Sequence, residues 1–482
     1  MGTASGTLRR EPAAREEAPA PAGPELLIDL DRSRRSLRSQ LEDALREGVR
    51  SGRLPSGMRL PASRVLAGDL GVSRRLVVDA YAQLLAEGYL VARAGAGTFV
   101  ADSADAPEVP DARRDPPAPA FDFFPGHPDL VAFPRRAWAR AVRETLRSVA
   151  AARLGYPDAR GALELRRALA GHLRRVRGVV ADPDAIVVVS GAAQGLALIA
   201  KALAPSPHLA VEDPGLPPHR AILAHHGARL GYLPVDGQGA TIQYLPEIET
   251  RDGALDGVIV TPAHQLPSGV ALTAARRTAL LEWARHRGGV VVDDDYDAEF
   301  RYDRAPLASL QGLAPDRVIY MGTASKTLAP ALRLGWMVVP RRLLDRVADE
   351  YLLAGGTTPT LDQLALARMI ESGDYDRHLR QARRRYRARR EALIAAVARH
   401  LPRANVTGIA AGLHAVVRLP RTVNGMELVQ AAHERSVAVY PLGFSYAEPK
   451  VVHDELLVGY ANLPEPAIDE GIRRLAAALG AV

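Results

Sequence analysis

Cysteine is absent from the 482 residues, which excludes disulfides and thiolate metal sites. Aromatic side chains are sparse at 5 %. No run approaches the ~18 consecutive apolar residues of a membrane span, and the N-terminus has charges where a signal peptide needs an apolar stretch, so a cytoplasmic location and no membrane partner are expected. Lysine is the most telling scarcity. Of 62 basic residues only Lys201, Lys326 and Lys450 are lysines, so arginine serves nearly everywhere a cation suffices. What is present is ordinary for a globular chain of two or three domains: 47 % hydrophobic, 24 % charged, and a net charge of +7 too modest to show a nucleic-acid partner by itself.

Lys326 lies in Ile319-Tyr-Met-Gly-Thr-Ala-Ser-Lys-Thr-Leu-Ala-Pro-Ala-Leu-Arg-Leu-Gly-Trp336. A guanidinium stays protonated and cannot act as an amine nucleophile, whereas a partly desolvated lysine among other cations can lose its proton and condense with an aldehyde. Pyridoxal 5'-phosphate (PLP) is the usual aldehyde for such Schiff-base chemistry. Thr323, Ser325 and Arg333 supply hydroxyls and a guanidinium fork suited to its phosphate. No metal is expected.

The first 25 residues mix Ala, Pro, Glu and Arg without apolar periodicity and read as a disordered tail. Leu37, Leu41, Leu45 and Val49 then mark one stripe of a helix. Ser63 is expected to cap a short helix running to Leu70. Gly71 supplies a turn, and Ser73 caps a second helix with a buried stripe of Leu76, Val77, Ala80, Tyr81 and Leu84. This is a helix-turn-helix, and Tyr89 to Val100, with Gly95 and Gly97 near its turn, reads as a hairpin wing. Residues 31–100 hold 12 arginines against 7 acids, so most of the net charge sits here.

Arg59-Leu-Pro-Ala-Ser-Arg64, Leu70-Gly-Val-Ser-Arg74 and Gly95-Ala-Gly-Thr-Phe-Val100 together resemble the winged helix of GntR-type bacterial regulators. The resemblance implies double-stranded operator DNA as partner, with Arg59, Ser63, Arg64, Ser73, Arg74, Arg75 and Gly97 at the contact. The winged domain is expected over 26–101, followed by a proline-rich linker over 102–120.

From 121 to 482 the runs Ala185–Ser190, Gly257–Thr261, Gly289–Asp293 and Arg317–Met321 alternate with helical segments, as in a buried parallel sheet. Ligands of such sheets sit at the carboxyl ends of strands. There lie the turn of Gly191, Ala192, Ala193 and Gln194, suited to phosphate at a helix start, the acids of Val292-Asp-Asp-Asp-Tyr-Asp297, and the loop Thr261–Gly269, which can place His264 or Gln265 beside a ring. One arginine-dense helix is expected over 361–399.

Thr261-Pro-Ala-His-Gln-Leu-Pro-Ser-Gly269, Asp294-Asp-Tyr-Asp-Ala-Glu-Phe300 and Ser325-Lys-Thr-Leu-Ala-Pro-Ala-Leu-Arg-Leu-Gly335, joined to a winged helix, resemble the MocR/GabR-type regulators. The resemblance implies an α/β fold type I PLP-dependent aminotransferase-like domain, with a large parallel or mixed sheet and a smaller α+β lobe, in a homodimer. It implies Lys326 as the Schiff-base residue, Asp294 at the pyridinium nitrogen with Asp293 as the competing choice, and Tyr296 on the ring hydroxyl. Thr323, Ser325, Arg333 and the Gly191–Gln194 turn would hold phosphate. Two positions depart from the pattern. Leu216 stands where a stacking tyrosine is common, and Leu457 where aminotransferases present an arginine to the substrate carboxylate; His219, Arg220 and Arg435 are the candidate substitutes. A transcription regulator whose DNA binding responds to PLP or an amine effector is expected. The alternative is a PLP-dependent aminotransferase with an appended DNA-binding domain, and the question of turnover stays open.

Overall fold

A computed structural model describes residues 26, 28–33, 36–102, 119–303, 307–356, 358–449 and 452–480. The expected tail over 1–25 and nearly all of the linker over 102–120 lie outside them. The chain forms two compact units that divide between Pro116 and Pro117.

The first unit has three helices, α1 (Leu37–Arg50), α2 (Ser63–Asp69) and α3 (Arg74–Ala86), and a hairpin of β1 (Leu90–Arg93) and β2 (Gly97–Val100). Leu41 and Leu45 of α1 bury against Leu66, Val77, Ala80 and Leu84, so the four-residue apolar spacing becomes the seam of the unit. Ser73 does cap α3, its hydroxyl accepting the Leu76 N–H at 3.3 Å. Ser63 does not cap α2. The extended Pro61-Ala62 lead-in makes Ala62 the cap residue, and Ser63 is already the first helical residue. Leu76 is only half-buried, because the stripe that faces the core begins at Val77. The hairpin pairs Leu90 with Val100 through Arg93 with Gly97, and Gly97 turns at φ +114°, which a side chain would resist.

The second unit carries β3 (Phe121–Asp122), β4 (Ile186–Val189), β5 (His208–Asp213), β6 (Arg229–Asp236), β7 (Gly239–Ala240), β8 (Gly257–Val260), β9 (Val290–Asp295), β10 (Val318–Thr323) and β11 (Gly335–Val338). The last eight form one sheet in the order β4-β11-β10-β9-β8-β5-β6-β7. It is parallel from β10 through β6, with β11 antiparallel to both of its neighbours, so the sheet is mixed. Both faces are covered. Val290 and Val292 point into one core, with Leu196, Ile199 and Met321, while Val291 points into the other, with Val258, Leu280 and Val318. The smaller lobe orders β12 (Asn405–Thr407), β13 (His414–Asn424), β16 (Val452–Gly459) and β15 (Tyr440–Pro441) side by side, and β14 (Val437–Ala438) pairs with β3.

The helix expected over 361–399 is two, Thr360–Glu371 and Asp374–His400, because Gly373 adopts φ +74° between them. The second of these helices turns some of its arginines inward. Arg389 is buried and reaches Asp129 at 2.9 Å, and Arg383 donates to the Glu299 carbonyl at 2.7 Å.

Side chains alternate across a strand, and that parity continues into the acids at the end of β9. Asp293 turns with Val291 and accepts from Ser309 Oγ at 2.7 Å and Leu310 N at 2.8 Å. Asp295, on the same face, pairs with fully buried Arg177 at 2.6 Å. Removing one member of a buried pair leaves the other charge uncompensated. Arg177→Ala should therefore lower the unfolding free energy by about 3–5 kcal/mol in chemical denaturation, while exposed Arg75→Ala, 3.9 Å from Asp79, should change it by less than about 0.5 kcal/mol.

Candidate functional site

The carboxyl ends of β4, β5, β8, β9 and β10 open onto a cavity of about 650 Å³, in the range of small-molecule sites. Gly191 and Ala192 reach it from the turn after β4, Glu212 from β5, Thr261 after β8, Asp294 and Tyr296 from β9 and just past it, and Thr323, Ser325 and Lys326 from the end of β10. Arg333 joins them from the turn before antiparallel β11. These residues are distant in sequence; the sheet edge is what gathers them.

Lys326 sits in a short helical turn, Ala324–Thr327, capped by Thr323, whose hydroxyl accepts the Ser325 N–H at 3.1 Å and donates to Ser325 Oγ at 3.0 Å. Its Nζ donates to the carbonyl of Gly126 at 2.8 Å. Burial pulls its pKa below the ordinary lysine value, against the opposing pull of Asp297 and Asp294. Gly126 turns at φ +81°, and a Cβ there would stand 3.1 Å from that Nζ, so the glycine makes room for the amine. Arg333 takes a left-handed φ of +50° that brings its guanidinium within 3.8 Å of where a Cβ on Gly191 would lie. Gly191, at φ +124°, heads the twelve-residue helix Ala192–Leu203. A helix start, two hydroxyls and a guanidinium converge there, the donor set an anion requires.

Asp294 faces the cavity on the opposite parity from Asp293. Burial, together with the acids Asp295, Asp293 and Glu212, raises its pKa to about 7, and Lys326 only partly offsets this. His219 Nδ1 lies 3.7 Å from its Oδ2, but burial lowers the His219 pKa to about 4 and keeps the ring neutral. A buried acid facing an open cavity without a cation against it is suited to a protonated ring nitrogen. Tyr296, also at the cavity, shares its hydroxyl with His264 Nδ1 at 3.1 Å, and that nitrogen lies 3.0 Å from Asp297 Oδ2. The His414 ring packs tilted against His264 with centroids 4.8 Å apart, and the donor atoms of His264, Asp297 and His414 lie within 4.8 Å of one another.

Of the expected cofactor-site residues, Gly191, Ala192, Asp294, Tyr296, Thr323, Ser325, Lys326 and Arg333 come together at the cavity. Four do not. Ala193 and Gln194 are carried past the rim by their helix, and Gln194 Oε1 accepts the Ser190 N–H at 2.8 Å. His264 stands behind Tyr296. Gln265 is spent on the loop itself, donating to the Pro214 and Leu266 carbonyls at 2.9 and 2.8 Å and accepting from Ser268 N at 2.9 Å. Leu266 and Pro267 form the cavity wall instead. Among the candidate substitutes for the missing arginine, His219 and Arg220 line the cavity, whereas Arg435 lies away from it and donates to the Ala431 carbonyl at 2.8 Å. Gly126 was not anticipated; the only cue was Phe124-Pro-Gly-His127, a turn with no chemistry of its own.

In the first unit, Arg59, Arg64, Arg74 and Arg75 are all exposed. Arg74 and Arg75 open α3, and the Arg59 guanidinium lies 3.2 Å from where a Cβ on Gly97 would stand. Ser63 is half-buried, and Ser73 is engaged as the cap.

A winged helix-turn-helix joined to a body with a lysine-centred, anion-ready site defines a DNA-binding protein built on an aminotransferase fold. Residues 37–100 match the model for bacterial regulatory proteins of the gntR family and residues 129–475 that for aminotransferase class I and II. The probable rhizopine catabolism regulatory protein MocR of Rhizobium meliloti is 35 % identical over 91 % of this chain and 93 % of its own. The HTH-type pyridoxine biosynthesis transcriptional regulator PdxR of Corynebacterium glutamicum is 35 % identical over 79 % and 83 %. The chain belongs to this family of gntR-type regulators with an aminotransferase class I and II body. Among solved structures, Pyrococcus horikoshii kynurenine aminotransferase, in complex with PMP, is similar at TM-score 0.69 and 27 % identity over 75 % of this chain and 91 % of that one.

Because the native state holds Asp294 protonated up to about pH 7 and an unfolded aspartate ionises near pH 4, the folded cofactor-free protein binds the extra proton between those values. Stability then falls as pH rises through that window. Asp294→Asn should flatten the decline, leaving the cofactor-free variant more stable than the parent at pH 8 by on the order of 2–4 kcal/mol in denaturant titrations at pH 5 and 8.

Proposed function

We propose that the protein is a transcription regulator that holds PLP at Lys326, and that the state of that site sets its affinity for operator DNA. The observation that carries the reading is the convergence of a half-buried amine, an anion corner and a carboxyl of raised pKa in one cavity, on a chain that also bears a basic winged helix. When bound, PLP supplies an aldehyde that condenses with primary amines and a ring nitrogen that draws electrons. Arg333, the Thr323 and Ser325 hydroxyls and the amides at Gly191 and Ala192 would hold its phosphate. Asp294 would keep the proton on the ring nitrogen, and Tyr296 would donate to the ring hydroxyl. Lys326, already low in pKa, needs to shed little charge to serve as the nucleophile. Leu216 and Leu457 cover the cavity with hydrocarbon and exclude water. Leu457, standing where an aminotransferase arginine would grip a carboxylate, favours sensing over turnover as the role of the site. A homodimer working in the cytoplasm completes the proposal.

On the DNA side, Arg74, Arg75, Arg59 and Arg64 would contact operator phosphates or base edges, α3 lying in the major groove. Arg74→Ala and Arg75→Ala should each weaken operator binding about tenfold and reduce the slope of log affinity against log salt by about one, measured by fluorescence anisotropy on the intact protein.

The decisive experiment uses the full chain incubated with PLP. Borohydride should fix a pyridoxyl group on Lys326, located by peptide mass, and Lys326→Ala should lose both the adduct and any effect of PLP on operator affinity. Identical operator affinity and footprint with and without PLP would remove the sensing claim.

A further inference from the structure

The cavity is larger and more hydrocarbon-lined than its polar corner needs, and its remaining wall shows what else it accepts. Among the described residues that line it, four can carry positive charge: Lys326, Arg333, His219 and Arg220. Lys326 and Arg333 belong to the corner just assigned. His219 already stands 3.7 Å from Asp294, and burial and Lys326 lower its pKa to about 4. Arg220 is already committed, donating to the carbonyls of Gly215 at 3.2 Å, Ser445 at 2.8 Å and Tyr446 at 3.0 Å and standing 4.0 Å from Asp213. Its fork holds the turn Leu442–Ser445 against the helix Pro217–His225.

The smaller lobe contributes Val439, Pro441, Phe444 and Leu457, which line the cavity together with Leu216. Leu457 is 6 % exposed and lies opposite Tyr440 in the β15–β16 register. Of the hydroxyls at this end, that of Tyr440 is given to Asp122 at 2.8 Å, and Ser445 offers only a neutral one. Among the described residues of this chain, a carboxylate carried into that end would leave water and meet no free cation. Burying an unpaired carboxylate is strongly unfavourable, whereas burying an alkyl or aryl group there is favourable.

From this wall we infer that the small-molecule effector is a primary amine with an apolar body and no carboxylate, of the alkylamine or arylalkylamine class, and not an amino acid. The inference rests on the PLP reading above, which supplies the reason for an amine. The geometry adds the body of the ligand.

The test uses the full-length protein loaded with PLP and first checked for the borohydride adduct at Lys326. Calorimetric titration compares phenethylamine with L-phenylalanine and isoamylamine with L-leucine, pairs that differ by the carboxylate alone. Each amine should bind at least about tenfold more tightly than its amino acid, and the amines alone should shift operator affinity. Leu457→Arg should raise the affinity for L-phenylalanine by about tenfold or more; the wild-type comparison stands without it if that variant does not fold. Amino acids binding as tightly as the amines, or neither class binding to loaded protein, would overturn the inference while leaving the PLP reading intact. Failure to form the adduct defeats the PLP reading itself, and this inference with it.

Discussion

The parity of β9 is the constraint on which the site depends. Three consecutive acids at the end of a buried strand cannot all face one way, and the pleat sends Asp293 and Asp295 to one side and Asp294 to the other. On the first side the protein supplies partners: Ser309, the Leu310 amide and the buried guanidinium of Arg177. On the second side it supplies almost none. Burial and mutual repulsion still raise the pKa of Asp293 to about 6, and that of Asp294, which faces the cavity, to about 7. A cation placed against Asp294 would offset part of that cost, so the cavity floor suits a positively charged ligand atom.

The same logic separates the two kinds of arginine in this chain. In the first unit Arg59, Arg64, Arg74 and Arg75 remain exposed. In the second, Arg177, Arg220, Arg383 and Arg389 are turned inward onto carboxylates and carbonyls. Composition alone cannot tell the groups apart, because both contribute equally to the net charge of +7. What distinguishes them is whether the fold provides acceptors: helix starts at a protein surface leave guanidinium groups exposed, and loop carbonyls beneath a packed lobe consume them.

Much of this was legible in the sequence, for physical reasons that differ from residue to residue. Lys326 stood out because an arginine-rich chain had kept a lysine where only a lysine can lose its proton. The winged helix was legible because caps, turn glycines and a four-residue apolar spacing are local signals, though Ser63 misled: an extended Pro-Ala lead-in shifts the helix start by one residue, and no side-chain rule reveals that. His264 and Gln265 misled for another reason. A polar pair in a proline-punctuated loop reads as ligand chemistry, yet a loop folded back on itself must satisfy its own carbonyls first, and Gln265 does that while Leu266 and Pro267 take the wall. The single helix expected over 361–399 failed at Gly373, since helical periodicity runs through a break of two residues without visible interruption. Strands β5, β6 and β11 escaped notice because His208, Arg229 and Trp336 interrupt or replace the valine runs that mark the others.

The hydrogen bond from Lys326 to Gly126 ties the reactive amine to the very beginning of the body. Gly126 lies just beyond β3, the first strand of the second unit, and β3 is itself held by pairing with β14. Anything that takes the amine elsewhere must release that carbonyl, at the turn that follows the first strand of this unit.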